Sequence, residues 1–128
     1  MKKIKPIKHS TYELSKWRVE PSNSYWATIF VAGGLEASTK VCQDFCMKVG
    51  LCVTIEPTNY VYTGGSEIGV RVGLIHYAPF PDSKDNIFNK ARELGKLLAE
   101  ENSQWSYTVL TPEVSAFFSR RRRKGETS

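Results

Sequence analysis

Between residues 25 and 110 the apolar positions run at a period of two, then near 3.6, then return to two, and the cycle repeats. Tyr25 to Val31 is aromatic and β-branched and is bounded by Pro21-Ser22-Asn23-Ser24 and Gly33-Gly34, which predicts a first strand. Leu35, Val41, Cys42, Phe45, Cys46 and Val49 recur at helical spacing, and Gly50 can supply the left-handed residue that ends the helix. Leu51, Val53 and Ile55 alternate with polar neighbours, as do Val70, Val72 and Leu74 beyond the Gly64-Gly65 turn signal. A four-residue turn over 63–66 would set Tyr62 opposite Glu67 and Thr58 opposite Arg71. Pro57 then belongs on an edge or at a bulge. Asp82 or Ser83 can cap a second helix with the stripe Ile87, Ala91, Leu94 and Leu98. Trp105 to Leu110 reads as the last strand, stopped by Pro112, and residues 113–118 as a short turn.

The order β-α-β-β-α-β predicts an α+β, ferredoxin-like sandwich: four antiparallel strands with both helices on one face. The other face is then open. It carries Thr54, Glu56, Thr58, Tyr60 and Tyr62 from one strand, with Gly69, Arg71, Gly73, Ile75 and Tyr77 from its partner. Trp26, Thr28 and Phe30 join them. Arg71 is expected to be the only charged residue in its strand, with Gly69 and Gly73 two positions away on either side. Those glycines would leave space for a planar or anionic group to reach the guanidinium, whose flat fork suits phosphate or carboxylate. The alternative is an ion pair with Glu56 across the hairpin. The rings of that face either stack on bases or pack against a second copy, and the interface is the favoured use. The strand through Arg71 lacks the Lys/Arg-Gly-aromatic start of RNA-recognition domains.

Charge divides the chain. Residues 1–18 and 119–128 together hold eleven Lys/Arg against two Asp/Glu, whereas residues 19–118 hold seven against eleven. The net charge of +5 therefore describes two basic arms, 1–24 and 119–128, around an acidic domain at 25–118. Arg120, Arg121, Arg122, Arg123 and Lys124 could contact phosphate, with salt-sensitive affinity and no sequence specificity. A chain of 128 residues supports one core. No apolar run approaches the roughly 18 residues of a membrane span, and no signal segment opens the chain, so a cytoplasmic protein is expected.

Cys42, Cys46 and Cys52 read as buried small residues in a reducing compartment, not as metal ligands with His76 or His9. No metal or cofactor is expected. His76 continues the Val70-Val72-Leu74 series at the rim of the core. Thr63-Gly64-Gly65-Ser66 and Gly33-Gly34 offer backbone N–H groups but lack the lysine or full glycine spacing of nucleotide loops. No acid/base pair or nucleophile triad recommends itself, so no catalytic residue is named.

The stretches GLCVTIEPTNYVYTGGSEIGVRVGLIHYAPFP and VLTPEVSAFFSRRRR resemble small uncharacterised proteins encoded by tailed phages and prophages. The resemblance implies a small accessory protein, often non-enzymatic and often directed against host defence, and in that case the host cytoplasm. The expectation from residues and resemblance together is a non-enzymatic, homo-oligomeric protein. It would bind a nucleotide or nucleic acid through Arg71, Tyr60, Tyr62, Tyr77, Gly64 and Gly65. The alternatives are a module that inhibits a host protein, a virion component, and an enzyme of nucleotide chemistry using Glu56 or His76.

Overall fold

The computed structural model describes residues 17, 19, 24–76 and 82–121. Within them lie β1 (Trp26–Ala32), α1 (Leu35–Val49), β2 (Thr54–Tyr62), β3 (Gly65–Ile75), α2 (Lys84–Glu101), β4 (Ser106–Leu110) and β5 (Ser115–Ser119). The strands form one antiparallel sheet in the order β2-β3-β1-β4-β5. Both helices cover one face. Ile29, Val70, Val72, Leu74 and Val109 from the sheet meet Cys42, Phe45, Ile87, Ala91, Leu94 and Leu98 from the helices. The expected β-α-β-β-α-β order therefore holds through β4, and the fold is α+β as predicted.

The strand count is corrected from four to five. Residues 113–118 do not form a mere turn. Thr111 folds the chain back by accepting hydrogen bonds from the N–H groups of Glu113 and Val114, and β5 then pairs with β4 from Ser106↔Ser119 to Leu110↔Ser115. Ala116 and Phe118 face the helices, and Phe118 stacks on Tyr107 with ring centroids 4.9 Å apart. The adjacent Phe117 is exposed, and two consecutive phenylalanines hide the alternation that marks a strand.

The hairpin register is also corrected. Tyr62 pairs with Gly65, Tyr60 with Glu67 and Glu56 with Arg71, so Thr63 and Gly64 alone make the loop. Gly64 has φ 88, the left-handed value that the third residue of a type II turn requires. The shift from the expected register is two residues. A shift of two preserves which face every side chain occupies, so the inward and outward sets stand. Pro57 is accommodated because β2 is an edge strand.

Two chain reversals fix the helices to the sheet. Gly50, at φ 68, closes α1 and donates its N–H to the Cys46 carbonyl at 2.9 Å. At the end of α2 the Gln104 N–H reaches the Ala99 carbonyl at 2.7 Å and the Ser103 N–H reaches that of Glu100. That is the Schellman pair of bonds, built around Ser103 in a left-handed conformation (φ 55) where glycine is usual. Asn102, just before it, spans to the other helix. Its Oδ1 accepts from the Gly34 N–H at 3.1 Å, and its Nδ2 donates to Ser38 Oγ and the Leu98 carbonyl. Ser38 is buried with that partner. Gly33, at φ 146, leaves room for the Asn102 side chain, which a Cβ there would overlap. The Gly33-Gly34 turn is thus occupied by the protein's own asparagine.

Among the described residues no helix is long and apolar enough to cross a membrane.

Candidate functional site

The open face of the sheet is shaped by one side chain lying across another strand. Tyr60, on β2, lays its ring over Gly69 of β3 and donates its hydroxyl to the Val70 carbonyl at 2.7 Å. A Cβ on Gly69 would overlap that ring and would also lie 2.7 Å from the Val31 carbonyl oxygen. Gly73 is filled in the same manner, since a Cβ there would lie 2.6 Å from Thr54 Oγ1. The expectation that these glycines leave open ground around Arg71 is therefore corrected. They admit neighbouring side chains of the hairpin itself.

Arg71 is nonetheless exposed and on the open face. It stands directly opposite Glu56 on one side and Phe30 on the other. The ion pairs among the described residues are Lys84–Glu113 and Lys90–Asp82, so Arg71 and Glu56 do not form one. The guanidinium leans instead over the Phe30 ring, 5.7 Å from its centroid. That places it at the border of a shallow depression of about 190 Å³ lined by Phe30, Tyr60, Glu67, Gln104, Ser106 and Thr108, among others.

Each lining residue arrives for a local reason. Phe30, Ser106 and Thr108 are outward residues of paired strands, with Phe30 opposite Thr108. Glu67 faces Tyr60 across the hairpin. Gln104 is delivered by the left-handed Ser103, and its Nε2 donates to the Asn102 carbonyl at 3.2 Å. Burial holds the Tyr60 phenol above its ordinary pKa. The Val31 backbone and the Arg71 charge oppose that rise, and Glu67 adds to it. The phenol thus stays neutral at physiological pH, between a carboxylate and a guanidinium. The depression offers an aromatic wall, one anionic group, one cationic group and several hydroxyl and amide groups.

Of the residues expected to bind a ligand, Tyr60 lines this depression and Arg71 borders it. Tyr62, Gly64 and Gly65 lie at the hairpin tip, where the Tyr62 ring folds back to within 3.2 Å of a Cβ on Gly65. Tyr77 lies outside the described residues. Glu67, Gln104, Ser106 and Thr108 were not expected, and Glu67 within β3 corrects the reading of Arg71 as the only charged residue of its strand. Period-two alternation puts Glu67, Ser106 and Thr108 on the open face; nothing in the periodicity marks Gln104.

Arg120 and Arg121 are described; Arg122, Arg123 and Lys124 are not. The Arg120 guanidinium sits 5.1 Å from the centroid of Trp105, beside a separate cleft of about 260 Å³ that Phe118 and Lys96 also line. Cys42 is buried, which pushes its thiol up to about 11, while Cys52 is exposed, so burial of all three cysteines is corrected. His76 is half-buried and donates its backbone N–H to the Tyr25 carbonyl at 3.0 Å. No group of three or more His, Cys, Asp or Glu that could hold a metal occurs among the described residues.

No protein-family model matches the chain, and no curated protein sequence does. Solved structures do. The fold is that of a phage SAM lyase. Its apo structure aligns with a TM-score of 0.62 at 21% identity, covering 78% of this chain and 92% of that one. Its complex with S-methyl-5'-thioadenosine aligns with a TM-score of 0.64 at 19% identity, covering 80% and 94%. Similarity to a phage protein agrees with the resemblance read from the sequence. It also corrects the expectation of a non-enzymatic accessory protein: the structural neighbours are an enzyme.

The contact between Tyr60 and Gly69 is open to direct test. Gly69→Ala should lower unfolding stability by about 1–3 kcal/mol, because backbone on one side and a ring on the other leave the methyl no room. Tyr60→Phe should cost about 1 kcal/mol through its lost hydrogen bond. Urea titrations measure both, and a neutral Gly69→Ala would show that the ring does not lie there.

Proposed function

We propose that the chain is a lyase acting on a sulfonium nucleoside of the S-adenosylmethionine type, releasing S-methyl-5'-thioadenosine from the open-face depression. Three things support the reading. The fold is shared with a SAM lyase of phage origin. The depression brings together an aromatic ring, a carboxylate and hydroxyl and amide groups suited to a cationic nucleoside. The reaction makes modest demands on side-chain chemistry.

That last point decides how a site without an acid/base pair can be catalytic. When the sulfur–carbon bond of a sulfonium breaks, the bonding pair goes to sulfur and a neutral thioether departs. The leaving group needs no proton. The carbon left behind is satisfied within the same amino-acid tail by its carboxylate oxygen, which forms the new carbon–oxygen bond as the carbon–sulfur bond breaks, so that no proton is gained or lost. The protein's task is to hold the tail in one conformation and to surround the disappearing charge with apolar walls. Glu67 draws the cationic substrate in, Phe30 and Tyr60 give the wall, and Gln104 with Ser106 and Thr108 binds the polar edges of the nucleoside.

The proposal includes the host cytoplasm as the place of action. Consumption of the methyl donor would disarm methylation-dependent host defence. It includes self-association as well. The β2–β3 ribbon runs past the end of β1, whose pairing stops at Ala32↔Gly69. Beyond that point Val61 is 80% and Ile68 65% exposed on the helix-side face. A two-stranded ribbon with bare apolar residues is marginal alone and gains by packing on a second copy.

Two measurements check these statements. Chromatography of S-adenosylmethionine incubated with the purified protein should show S-methyl-5'-thioadenosine accumulating. Glu67→Gln should raise KM by roughly tenfold or more, the effect of losing a charged hydrogen-bonding partner. Absence of product with the unaltered protein would remove the lyase reading. Light scattering should give a multiple of the 14.5 kDa chain mass, falling on Val61→Asp with Ile68→Asp; a monomer mass for the unaltered protein would remove the self-association.

A further inference from the structure

Arg71 has a carboxylate directly opposite it in Glu56 and does not pair with it. An exposed arginine at that register has two directions in which to extend. Tyr60 lies over Gly69 on one flank and Thr54 over Gly73 on the other, so the ground along β3 is taken on both sides. The guanidinium lies across the sheet over Phe30, toward the depression and away from Glu56. A charged fork held against a ring, with its hydrogen-bonding edge uncommitted among the described residues, is suited to grip an anion that arrives from solvent.

The second charge of the site is placed to match. Glu67 and Arg71 are outward residues of the same strand, four positions apart, or about 13 Å between Cα atoms at roughly 3.3 Å per residue. The Tyr60 ring lies over Gly69 midway between them, and both charges act on its phenol. The Arg71 guanidinium is turned across the sheet onto Phe30, and Phe30 and Glu67 both line the open-face depression. In an S-adenosylmethionine tail the sulfonium and the carboxylate are about 5 Å apart by ordinary bond lengths. The tail carries the sulfonium at one end and a carboxylate beside an α-ammonium at the other, so a planar fork suits the carboxylate with two parallel bonds and a carboxylate suits the sulfonium end.

We propose that Arg71, held over Phe30, grips the carboxylate of the substrate's amino-acid tail while Glu67 faces its sulfonium end, so that sulfonium nucleosides lacking the carboxylate are discriminated against. The inference rests on the lyase reading and goes beyond it by assigning the substrate's orientation and the residue that selects its tail. Arg71 is a binding and positioning residue: it acts on one end of the tail and takes no proton.

Steady-state kinetics with S-adenosylmethionine, combined with inhibition by S-methyl-5'-thioadenosine, tests it. The inhibitor has the nucleoside and the sulfur but no amino-acid tail. Arg71→Met should raise KM by about 10–100-fold, the range expected for a lost charged hydrogen-bonding pair, and leave the inhibition constant within twofold. Arg71→Lys should recover part of the loss. Decarboxylated S-adenosylmethionine, used as a competitor, should inhibit the unaltered protein and Arg71→Met equally. An unchanged KM in Arg71→Met overturns the assignment. So does a KM and an inhibition constant that rise together, which would mean that the residue supports the whole site and not the tail. Failure of the unaltered protein to release any product removes the lyase reading and this assignment with it, and that outcome is distinct from the other two.

Discussion

The open face depends on the crossing of Tyr60 over Gly69. It is a steric constraint first: no side chain larger than hydrogen fits between the ring and the Val31 carbonyl. It is a polar one second, since the hydroxyl donates to Val70. Together these pin the β2 edge strand across β3 toward β1, at the point where the hairpin leaves the rest of the sheet. They also set Glu67 and Arg71 on opposite flanks of one ring. Both charges act on the phenol of that ring, Arg71 lowering its pKa and Glu67 raising it. The site is thus a consequence of the packing of a tyrosine on a glycine, more than of the charged residues themselves.

Most of the fold was legible because burial on one face imposes clean periods. α1 runs over Leu35–Val49, as its stripe and Gly50 predict, and α2 begins after Ser83, whose Oγ accepts from the Asn86 N–H. The elements that escaped are those whose pattern is overridden locally. β5 carries Phe117 outward beside Phe118 inward, so its sequence shows no alternation. The loop length was misjudged because Thr63-Gly64-Gly65-Ser66 contains two glycines, of which only Gly64 takes the left-handed conformation. The error was an even number of residues, which left the two faces unmixed.

The site was half legible. Tyr60 and Arg71 could be named because rings on an open face, and an arginine set between two glycines, are unusual. Their relation could not, since glycine spacing does not say whether the vacant space receives a ligand or a neighbour's side chain. Gln104 was out of reach, because its place depends on Ser103 adopting a conformation that glycine usually supplies. The absence of an acid/base pair pointed away from catalysis for a reason that does not hold in general. A sulfonium brings its own leaving group, and its own tail completes the bonding, so a site for it needs shape and charge order where a hydrolase needs proton carriers.

The location of ligand binding is the claim on which the functional account turns, and the molecule offers a rival location in the cleft beside Trp105 and Arg120. Amide chemical-shift mapping with S-methyl-5'-thioadenosine separates the two. The account predicts the largest shifts at Phe30, Tyr60, Glu67 and Arg71, on strands that the rival cleft does not touch. Shifts gathered at Lys96, Phe118 and Arg120, with Phe30 and Glu67 unmoved, would contradict it.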